Sequence, residues 1–351
     1  MPEPALTSRM AAVLLTGHGG FERLAYREDV AVPRPGPGEA LIEIGAAGVN
    51  NTDLNTRVGW YGSKADAAAG WTGAPPVFPR IQGADACGRI VAVGAGVATS
   101  RIGERVLVEP VFLAPGGALA DAVYFGSERD GAFAQYATVP SAHAHRIESA
   151  LSDIELATFP CSYSAAANML ARADVAAGET VLVTGASGGV GSAAVQLARA
   201  RGARVIAVAD PAKAAAILAL GAEAVMARAA DPAAELGRES VDFVIDVVGG
   251  PGFPRLLDAL KRGGRYAVAG AAGGADVALD LRTLYLKDLR LLGCTVLAPR
   301  VFKDLVALIE AGAVKPLLAA TYPLAQIVAA QQAFMAKRHV GKIVLVPPGP
   351  A

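Results

Sequence analysis

Residues 181–198 read VLVTGASGGVGSAAVQLA, and this stretch decides the fold. An apolar run ends at Thr184, a glycine-rich turn spans Gly185–Gly191, and a helical pattern begins at once. Ala186-Ser187-Gly188-Gly189-Val190-Gly191 is the A-x-G-x-x-G form of the dinucleotide-binding fingerprint. Gly188 would let the backbone approach a pyrophosphate, and Gly191 would let the helix pack closely on the strand. The first N–H groups of such a helix and its positive dipole end favour an anion. Ala186, Ser187, Gly188, Gly189 and Val190 are therefore expected to bind cofactor. A lone turn of this kind can also be a tight connection that binds nothing, so its setting matters.

That setting is an alternation of strands and helices. TVLVTG is followed by VGSAAVQLARARG, RVIAVAD by PAKAAAILALG, EAVMAR by a short polar helix, and VDFVIDVVG by FPRLLDALKRGG; RYAVAG and LRLLGCTV complete the set. The strands are near-continuous Val/Ile/Leu runs, as expected where both faces of a sheet are covered. Six such strands with crossover helices predict a Rossmann-type doubly wound six-strand parallel sheet over residues 156–298. The segment SDIELATFPCSYSAAANMLARA (152–173) leads into it with helical spacing, and helices are expected at 300–313 and 324–339.

The first 150 residues have another rhythm. Short strand-like segments at 11–15, 40–47, 88–93, 105–108 and 133–139 are separated by Gly and Pro, which predicts an all-β lobe. Stretches 64–79 and 109–131 read as long loops. The last apolar run, GKIVLVPP (341–348), is expected to return to the first lobe. The fold class expected is thus α/β, with a β-rich domain formed by residues 1–155 and 299–351.

Composition limits the function. The chain has 351 residues, 53% apolar and 18% charged, with no net charge; that suits a two-domain globular protein and offers no basic stripe for nucleic acid. No run reaches the roughly 18 apolar residues of a membrane span. Cys87, Cys161 and Cys294 are three widely spaced thiols, which fits a reducing, cytoplasmic setting better than a disulfide framework.

The order of parts (a β lobe, a dinucleotide domain with GASGGVG, and a C-terminal GKIVLV) resembles the medium-chain dehydrogenase/reductase superfamily, and most closely its zinc-free quinone oxidoreductases. The resemblance implies a GroES-like β-rich catalytic domain. It also shows what is missing. The zinc enzymes of that superfamily take catalytic ligands from a G-x-C turn, a G-H-E turn and a Cys shortly before the glycine-rich turn. Here those places hold Asn50, Ala84 (with Asp85 for the Glu) and Cys161. One ligand of three is too few for a catalytic zinc. The stretch that would match the cysteine-rich structural zinc lobe, 109–131, has no cysteine. No zinc is expected at either place.

Without a metal to stabilise an alkoxide, the natural electrophile is a quinone or an α,β-unsaturated carbonyl compound, which spreads the developing charge itself. The run GVNNTDLNTRVGWYG (48–62) then reads as a site wall. Related zinc-free enoyl thioester reductases carry a pattern like I-N-P-S-D-I-N followed by G-N-Y-G; here it is V-N-N-T-D-L-N (49–55) and G-W-Y-G (59–62). The resemblance makes Tyr61 the candidate proton donor and Thr52 a candidate relay. Asn50 or Asn51 would hold a carbonyl oxygen or the nicotinamide carboxamide, Asn50 counting as catalytic and Asn51 as cofactor-binding. Packing and helix capping are the competing roles for these residues. Asp53 reads as a structural acceptor for backbone groups, and Cys161 as a small packed residue.

The end of the second strand chooses between the two pyridine nucleotides. Ala209 or Asp210 could stand at the acidic place that accepts from a ribose 2′-hydroxyl, while Lys213 and Arg228 could reach a 2′-phosphate. NADP(H) is favoured over NAD(H). The family's pattern further implies cofactor contacts at Val248, Gly249, Ala269, Gly270 and Lys342. It also implies a homodimer, with sheet extension near 289–296. The expected activity is zinc-independent, NAD(P)H-dependent hydride transfer to a small electrophilic substrate. The alternatives are a metal-free alcohol or aldehyde dehydrogenase, and a non-catalytic NADPH-binding protein of crystallin-like or sensor type.

Overall fold

The computed structural model describes residues 8–62, 70–72 and 74–349. Residues 63–69 and 73, nearly all of them in the first expected loop, lie outside them. The chain divides into two units. One runs to Cys161 and takes in Pro316–Arg338 and the chain from Lys342; the other comprises Ser162–Lys315 and His339–Gly341.

The second unit holds a six-stranded sheet, all of it parallel, in the spatial order third, second, first, fourth, fifth, sixth. In chain order the strands are Thr180–Val183, Arg204–Ala209, Ala224–Ala227, Val241–Asp246, Leu260–Val268 and Arg290–Gly293. Val181, Leu182, Val183, Val244 and Ile245 are fully buried, which is why these strands read as unbroken apolar runs. Because every strand points the same way, their C-terminal ends line one edge of the sheet, the edge where such folds bind nucleotides.

The first unit carries a seven-stranded sheet in which Glu39–Gly48 is central, flanked by Cys87–Val93, Tyr136–Pro140 and Lys342–Val346. The C-terminal strand pairs antiparallel with it, Val344 opposite Gly48 and Leu345 opposite Ala47. Ile42, Val106, Phe133 and Val139 fill the core beneath with no exposed surface. Burying a side chain such as Phe133 stabilises the unit by about 1.5–3 kcal/mol.

Several boundaries differ from the sequence reading. The helix expected from 152 breaks into Asp153–Leu156 and Pro160–Arg172. Ser152 caps the first piece: its Oγ accepts from the Glu155 N–H, and Glu155 accepts back from the Ser152 N–H. Pro160 then starts the second at a first-turn position, where its missing N–H costs nothing. The 299–315 stretch belongs with the dinucleotide unit rather than the β-rich one. The reason is polar anchoring: Asn168 binds the Val296 carbonyl and Ala298 N–H, and Gln196 and Tyr163 hold both the N–H and the carbonyl of Lys315. The 109–131 stretch is not structureless; Val111–Phe112 and Val123–Tyr124 form a short hairpin. Strand Leu24–Ala31 escaped the sequence reading because it is a half-exposed, charged edge with no fully buried residue. Among the described residues no helix is long and apolar enough to cross a membrane.

Candidate active site

The fingerprint turn folds as its glycines require. Gly185 adopts a left-handed φ of 58°, Gly188 is the N-cap residue, and the helix runs Gly189–Ala200. A methyl on Gly191 would sit 2.3 Å from the Gly185 carbonyl, so the helix meets the turn with no room for a side chain. A methyl on Gly188 would meet only that carbonyl, at 3.4 Å, leaving its outer side open. The turn is tied down from behind: Ala186 N–H donates to Val208, and the Gly341 N–H donates to the Ser187 carbonyl.

The other expected cofactor residues of this unit gather along the same strand ends. Asp210 caps the turn after the second strand, accepting from the Ala212 N–H at 3.0 Å. Lys213 donates to the His339 carbonyl at 2.8 Å. Burial lowers the Lys213 pKa, the neighbouring Arg228 guanidinium lowers it further, and Asp210 opposes them. Two cations and an acid therefore share one small surface. Ala269 and Gly270 follow the fifth strand, with the Ala269 N–H on the Asp246 carbonyl.

Sequence reasoning missed the residue that organises this edge. Asp246 is wholly buried at the end of the fourth strand. Its carboxylate accepts from the Thr184 and Tyr266 hydroxyls, each at 2.5 Å, and from the N–H groups of Val248 and Gly249. It thereby fixes the two residues expected beside the ribose. The signal was present as the second acid of an otherwise apolar strand, VDFVIDVVG, whose first, Asp242, is partly exposed and paired with Lys261. Asp246→Ala leaves several buried donors without an acceptor, each worth about 1–3 kcal/mol. A clear fall in melting temperature is expected, with Asp246→Asn much milder because the Tyr266 hydroxyl can rotate to accept.

In the β-rich unit, helix Asn51–Val58 starts from Asn50 as N-cap. Asp53 lies under it, 2% exposed, its Oδ2 accepting the Asn50 N–H at 2.7 Å. That is the backbone-acceptor role expected of Asp53. Burial pushes its carboxyl up to about 7, against the Asn50 and Gly83 N–H groups and Lys342, which favour the charged form.

Asn50 is fully engaged within the protein. Its Nδ2 donates to Asp85 Oδ2 at 2.7 Å and to the Gly48 carbonyl at 3.3 Å, while its Oδ1 accepts from Lys342 Nζ at 2.5 Å. Lys342, expected at the cofactor, has its buried ammonium on Asp85 Oδ2 at 2.6 Å, Asn50 and the Val49 carbonyl at 3.1 Å. All three of its donors are directed into the β-rich unit. Asp85 Oδ1 accepts the Cys161 N–H at 2.5 Å. Burial and the nearby Asp85 raise the Cys161 thiol well above its usual range, which removes any tendency to act as a thiolate. Asn51 lies on the exposed side, its Oδ1 accepting from Lys337 Nζ at 3.1 Å.

Thr52 and Tyr61 do come together. Burial raises the Tyr61 pKa, and the Thr52 and Asn55 side chains, in reach of its hydroxyl, oppose that shift. The phenol therefore stays protonated at neutral pH and can donate. Its ring lies parallel to Trp71 at 5.5 Å, and Trp71 stacks in turn on Tyr124 at 4.0 Å. Trp71 reads from the sequence, with Trp60, as a residue that lines or covers a pocket; Asn55 and Tyr124 were not singled out, because their proximity to Tyr61 and Trp71 is not visible in the sequence.

The residues at the three ligand places do not suit a zinc ion. Ala84 has no donor atom, the Asn50 amide is occupied, and an ammonium lies beside Asp85. Among the described residues no group of three or more His, Cys, Asp or Glu side chains is disposed to hold a metal.

A parallel sheet ending in a glycine-rich helix start, joined in sequence to a GroES-like lobe, defines a nucleotide-dependent oxidoreductase architecture. Comparison with known proteins agrees. Residues 36–149 match the alcohol dehydrogenase GroES-like domain, and residues 189–311 match the zinc-binding dehydrogenase domain. The chain is 31% identical over 350 residues to an acryloyl-coenzyme A reductase of Metallosphaera sedula, covering 96% of this chain and 99% of that one. It is 29% identical over 351 residues to a quinone oxidoreductase of Homo sapiens, covering 96% and 98%. The crystal structure of a putative alcohol dehydrogenase from Sinorhizobium meliloti 1021 superposes with a TM-score of 0.92 at 50% identity, covering 98% of each chain. The chain belongs to the medium-chain dehydrogenase/reductase superfamily, and its relatives mark it as an oxidoreductase.

Proposed function

We propose that this chain is an NADPH-dependent reductase of quinones or α,β-unsaturated carbonyl compounds that works without zinc. The observation that carries the reading is the division of polar groups at the head of helix Asn51–Val58. Asn50 is bound to Asp85 and Lys342, while the Tyr61 hydroxyl lies within hydrogen-bond reach of the Thr52 and Asn55 side chains, and a hydroxyl can rotate towards a substrate. The names of the acryloyl-coenzyme A and quinone reductase relatives point to the same electrophile class.

Ala186–Val190 would hold the pyrophosphate, Val248, Gly249, Ala269 and Gly270 the ribose and nicotinamide side, and Lys213 with Arg228 a 2′-phosphate. Bound NADPH supplies the hydride. Tyr61 donates a hydrogen bond, and then a proton, to the substrate as charge develops on its oxygen or neighbouring carbon. Thr52 orients that phenol and can replenish its proton. A conjugated acceptor needs no stronger electrophile than this, whereas a saturated aldehyde concentrates the charge on one oxygen. NADPH oxidation measured side by side with a quinone, an enone and a saturated aldehyde should favour the first two clearly. Preference for the aldehyde would support the alcohol dehydrogenase alternative, and binding without turnover the non-catalytic one.

Nucleotide choice has its own test. Arg228→Ala should weaken NADPH binding by roughly 10–100-fold through loss of a charge-assisted contact and leave NADH binding nearly unchanged. Equal loss for both would remove the 2′-phosphate assignment.

A homodimer completes the reading. The sixth strand, Arg290–Gly293, is an edge strand, and Leu281, Tyr285, Leu286 and Leu291 around it are 38–66% exposed. A second copy pairing at this edge would cover both the open backbone groups and the apolar side chains. A cytoplasmic setting fits the three thiols.

A further inference from the structure

We propose that Tyr61 and Tyr124 are the two walls of a slot for a flat, uncharged aromatic ring, a place that the Trp71 indole holds until substrate enters. The inference rests on the reductase reading above and narrows its substrate class. The class is α,β-unsaturated ketones and aldehydes that carry an aryl group on the β-carbon.

Three segments build the slot. Tyr61 follows helix Asn51–Val58, Tyr124 ends the hairpin strand Val123–Tyr124, and Trp71 comes from the chain between them. The indole lies 4.0 Å from the Tyr124 ring at 20° and 5.5 Å from the Tyr61 ring at 1°. Rings this close and this nearly parallel lie face over face with an offset. Two tyrosines over the same indole face would collide, so they take opposite faces and the indole fills the sandwich. Both walls are held independently of it. Tyr124 is 3% exposed and its N–H donates to Glu128 Oε2 at 3.0 Å, while Trp60 stands edge-on to Tyr61 at 5.4 Å.

A cleft of about 210 Å³ adjoins the sandwich, lined by His18, Thr56, Gly59, Tyr61, Trp71 and Ser127 among others. That is less than the roughly 300–1,000 Å³ of small-molecule sites, and the volume of the indole is what the cleft lacks. Among the described residues no lysine or arginine lines it. The Glu128 carboxylate stands next to it, accepting from the Thr72 and Ser127 hydroxyls. An anionic substrate therefore finds no counter-charge here, whereas a neutral ring finds two aromatic faces.

The slot also selects which part of a substrate it takes. A hydride reaches a conjugated carbon from above or below its plane, and in the slot a tyrosine covers each face. A quinone ring, itself the acceptor, could not react there. An aryl substituent can be covered on both faces, with the coplanar C=C–C=O unit projecting into the cleft that Tyr61 also lines. The step is then that of the reading above. Hydride from NADPH forms a C–H bond at the β-carbon, the C=C π pair passes to the α-carbon and oxygen, and a proton from Tyr61 completes the saturated carbonyl compound, leaving NADP⁺. Trp71 and the substrate ring exchange one set of stacked contacts for another, so the indole lowers apparent affinity by the fraction of time that it fills the slot.

The test uses indole and 4-phenylbutan-2-one, a saturated ketone with an aryl tail and no C=C bond to reduce, titrated calorimetrically into the full chain without NADPH. Trp71→Ala should bind both at least about 10-fold more tightly than the parent, because the resident ring is gone. Indole should also raise its melting temperature. Adding Tyr124→Leu should abolish both gains. In turnover, Trp71→Ala should lower the KM for 4-phenylbut-3-en-2-one relative to that for methyl vinyl ketone, which has no ring. A tryptophan that serves only as a wall predicts the reverse, with weaker binding and a higher KM ratio.

Ring ligands that bind Trp71→Ala no better than the parent would overturn the proposal, as would a rise in that ratio. Should Trp71→Ala fail to fold, Trp60→Phe decides, since it leaves Trp71 as the sole tryptophan. Saturating it with 4-phenylbutan-2-one should shift the emission to the red as the indole leaves the sandwich, and an unchanged spectrum would overturn the proposal. Binding is read apart from turnover. Tight ring binding by a chain that reduces no electrophile would count against the reductase reading and leave the slot standing, whereas enone turnover indifferent to Trp71 would do the opposite.

Discussion

Gly188→Ala is expected to fold and melt like the parent yet bind NADPH roughly 10–100-fold more weakly, while Gly191→Ala is expected to lose stability before binding is even in question. The two glycines stand three residues apart in one turn and differ in what surrounds them. Gly188 has φ −81° and ψ 174°, a conformation any residue adopts, and an added methyl meets nothing nearer than a carbonyl at 3.4 Å. Its smallness serves no contact within the chain. A methyl there points into the space that a pyrophosphate needs if it is to reach the helix N–H groups, and the lost contacts carry the weakening. Gly191 faces inward. Its methyl would sit 2.3 Å from the Gly185 carbonyl and 2.7 Å from the Ala186 Cα, both backbone atoms that cannot swing aside. Overpacking of that kind costs about 1–3 kcal/mol or more. Melting curves with and without NADPH, together with a binding isotherm, separate the cases. Unchanged NADPH affinity in Gly188→Ala would mean that no phosphate crosses this turn.

How far the sequence reaches depends on whether a signal is local. The glycine-rich turn and the apolar strands are local, since a few neighbouring residues set both conformation and burial, and the six-stranded sheet was legible from them. Leu24–Ala31 was not legible, because an exposed edge strand has no burial pattern to betray it. Lys342 shows the same limit at the site. In GKIVL the lysine reads as a cation free to reach a phosphate. Its fate is set by Asn50 and Asp85, some three hundred and two hundred and fifty residues away in the chain, and only the pairing of Lys342–Val346 with Glu39–Gly48 brings them together. The partners of Asn50 are hidden from the sequence for a matching reason. A carboxamide at the head of a helix can serve a ligand or its neighbours, and the neighbours that claim it come from other segments.

The capture of Asn50 narrows the chemistry. An amide whose donors already point at Asp85 and Gly48 would have to break a buried hydrogen bond to a charged group, worth about 1.5–3 kcal/mol, before touching substrate. It would then leave Asp85 and Lys342 short of a partner. Hydroxyl groups carry no such obligation, because each can rotate between acceptors. On the proposed reading the hydroxyl donors of this helix and its exit, Thr52 and Tyr61, are the ones to test.

Tyr61→Phe is accordingly expected to lower kcat by roughly 100–1000-fold, within the range lost when a positioned proton donor is removed. NADPH affinity should stay unchanged, because the residues proposed for the pyrophosphate, ribose and 2′-phosphate lie on other segments. The ring remains, so its parallel contact with Trp71 at 5.5 Å persists and the melting temperature should move little. Thr52→Val should cost less, about 10-fold, since it removes a group that orients the phenol and leaves the donor in place. The double variant then discriminates. If Thr52 acts only through Tyr61, adding Thr52→Val to Tyr61→Phe should change kcat no further, because residues that work as a unit are not additive. A purely structural tyrosine would predict a different pattern, with KM and melting temperature shifting together and kcat nearly untouched. The alkaline side of the pH profile adds a check: burial holds the phenol above its usual pKa, so a rate limited by its proton should stay flat through neutral pH and fall only in strong alkali. Loss of activity near pH 7 would place the proton on another group, and Asp53, whose carboxyl is pushed up to about 7, is the one to test next.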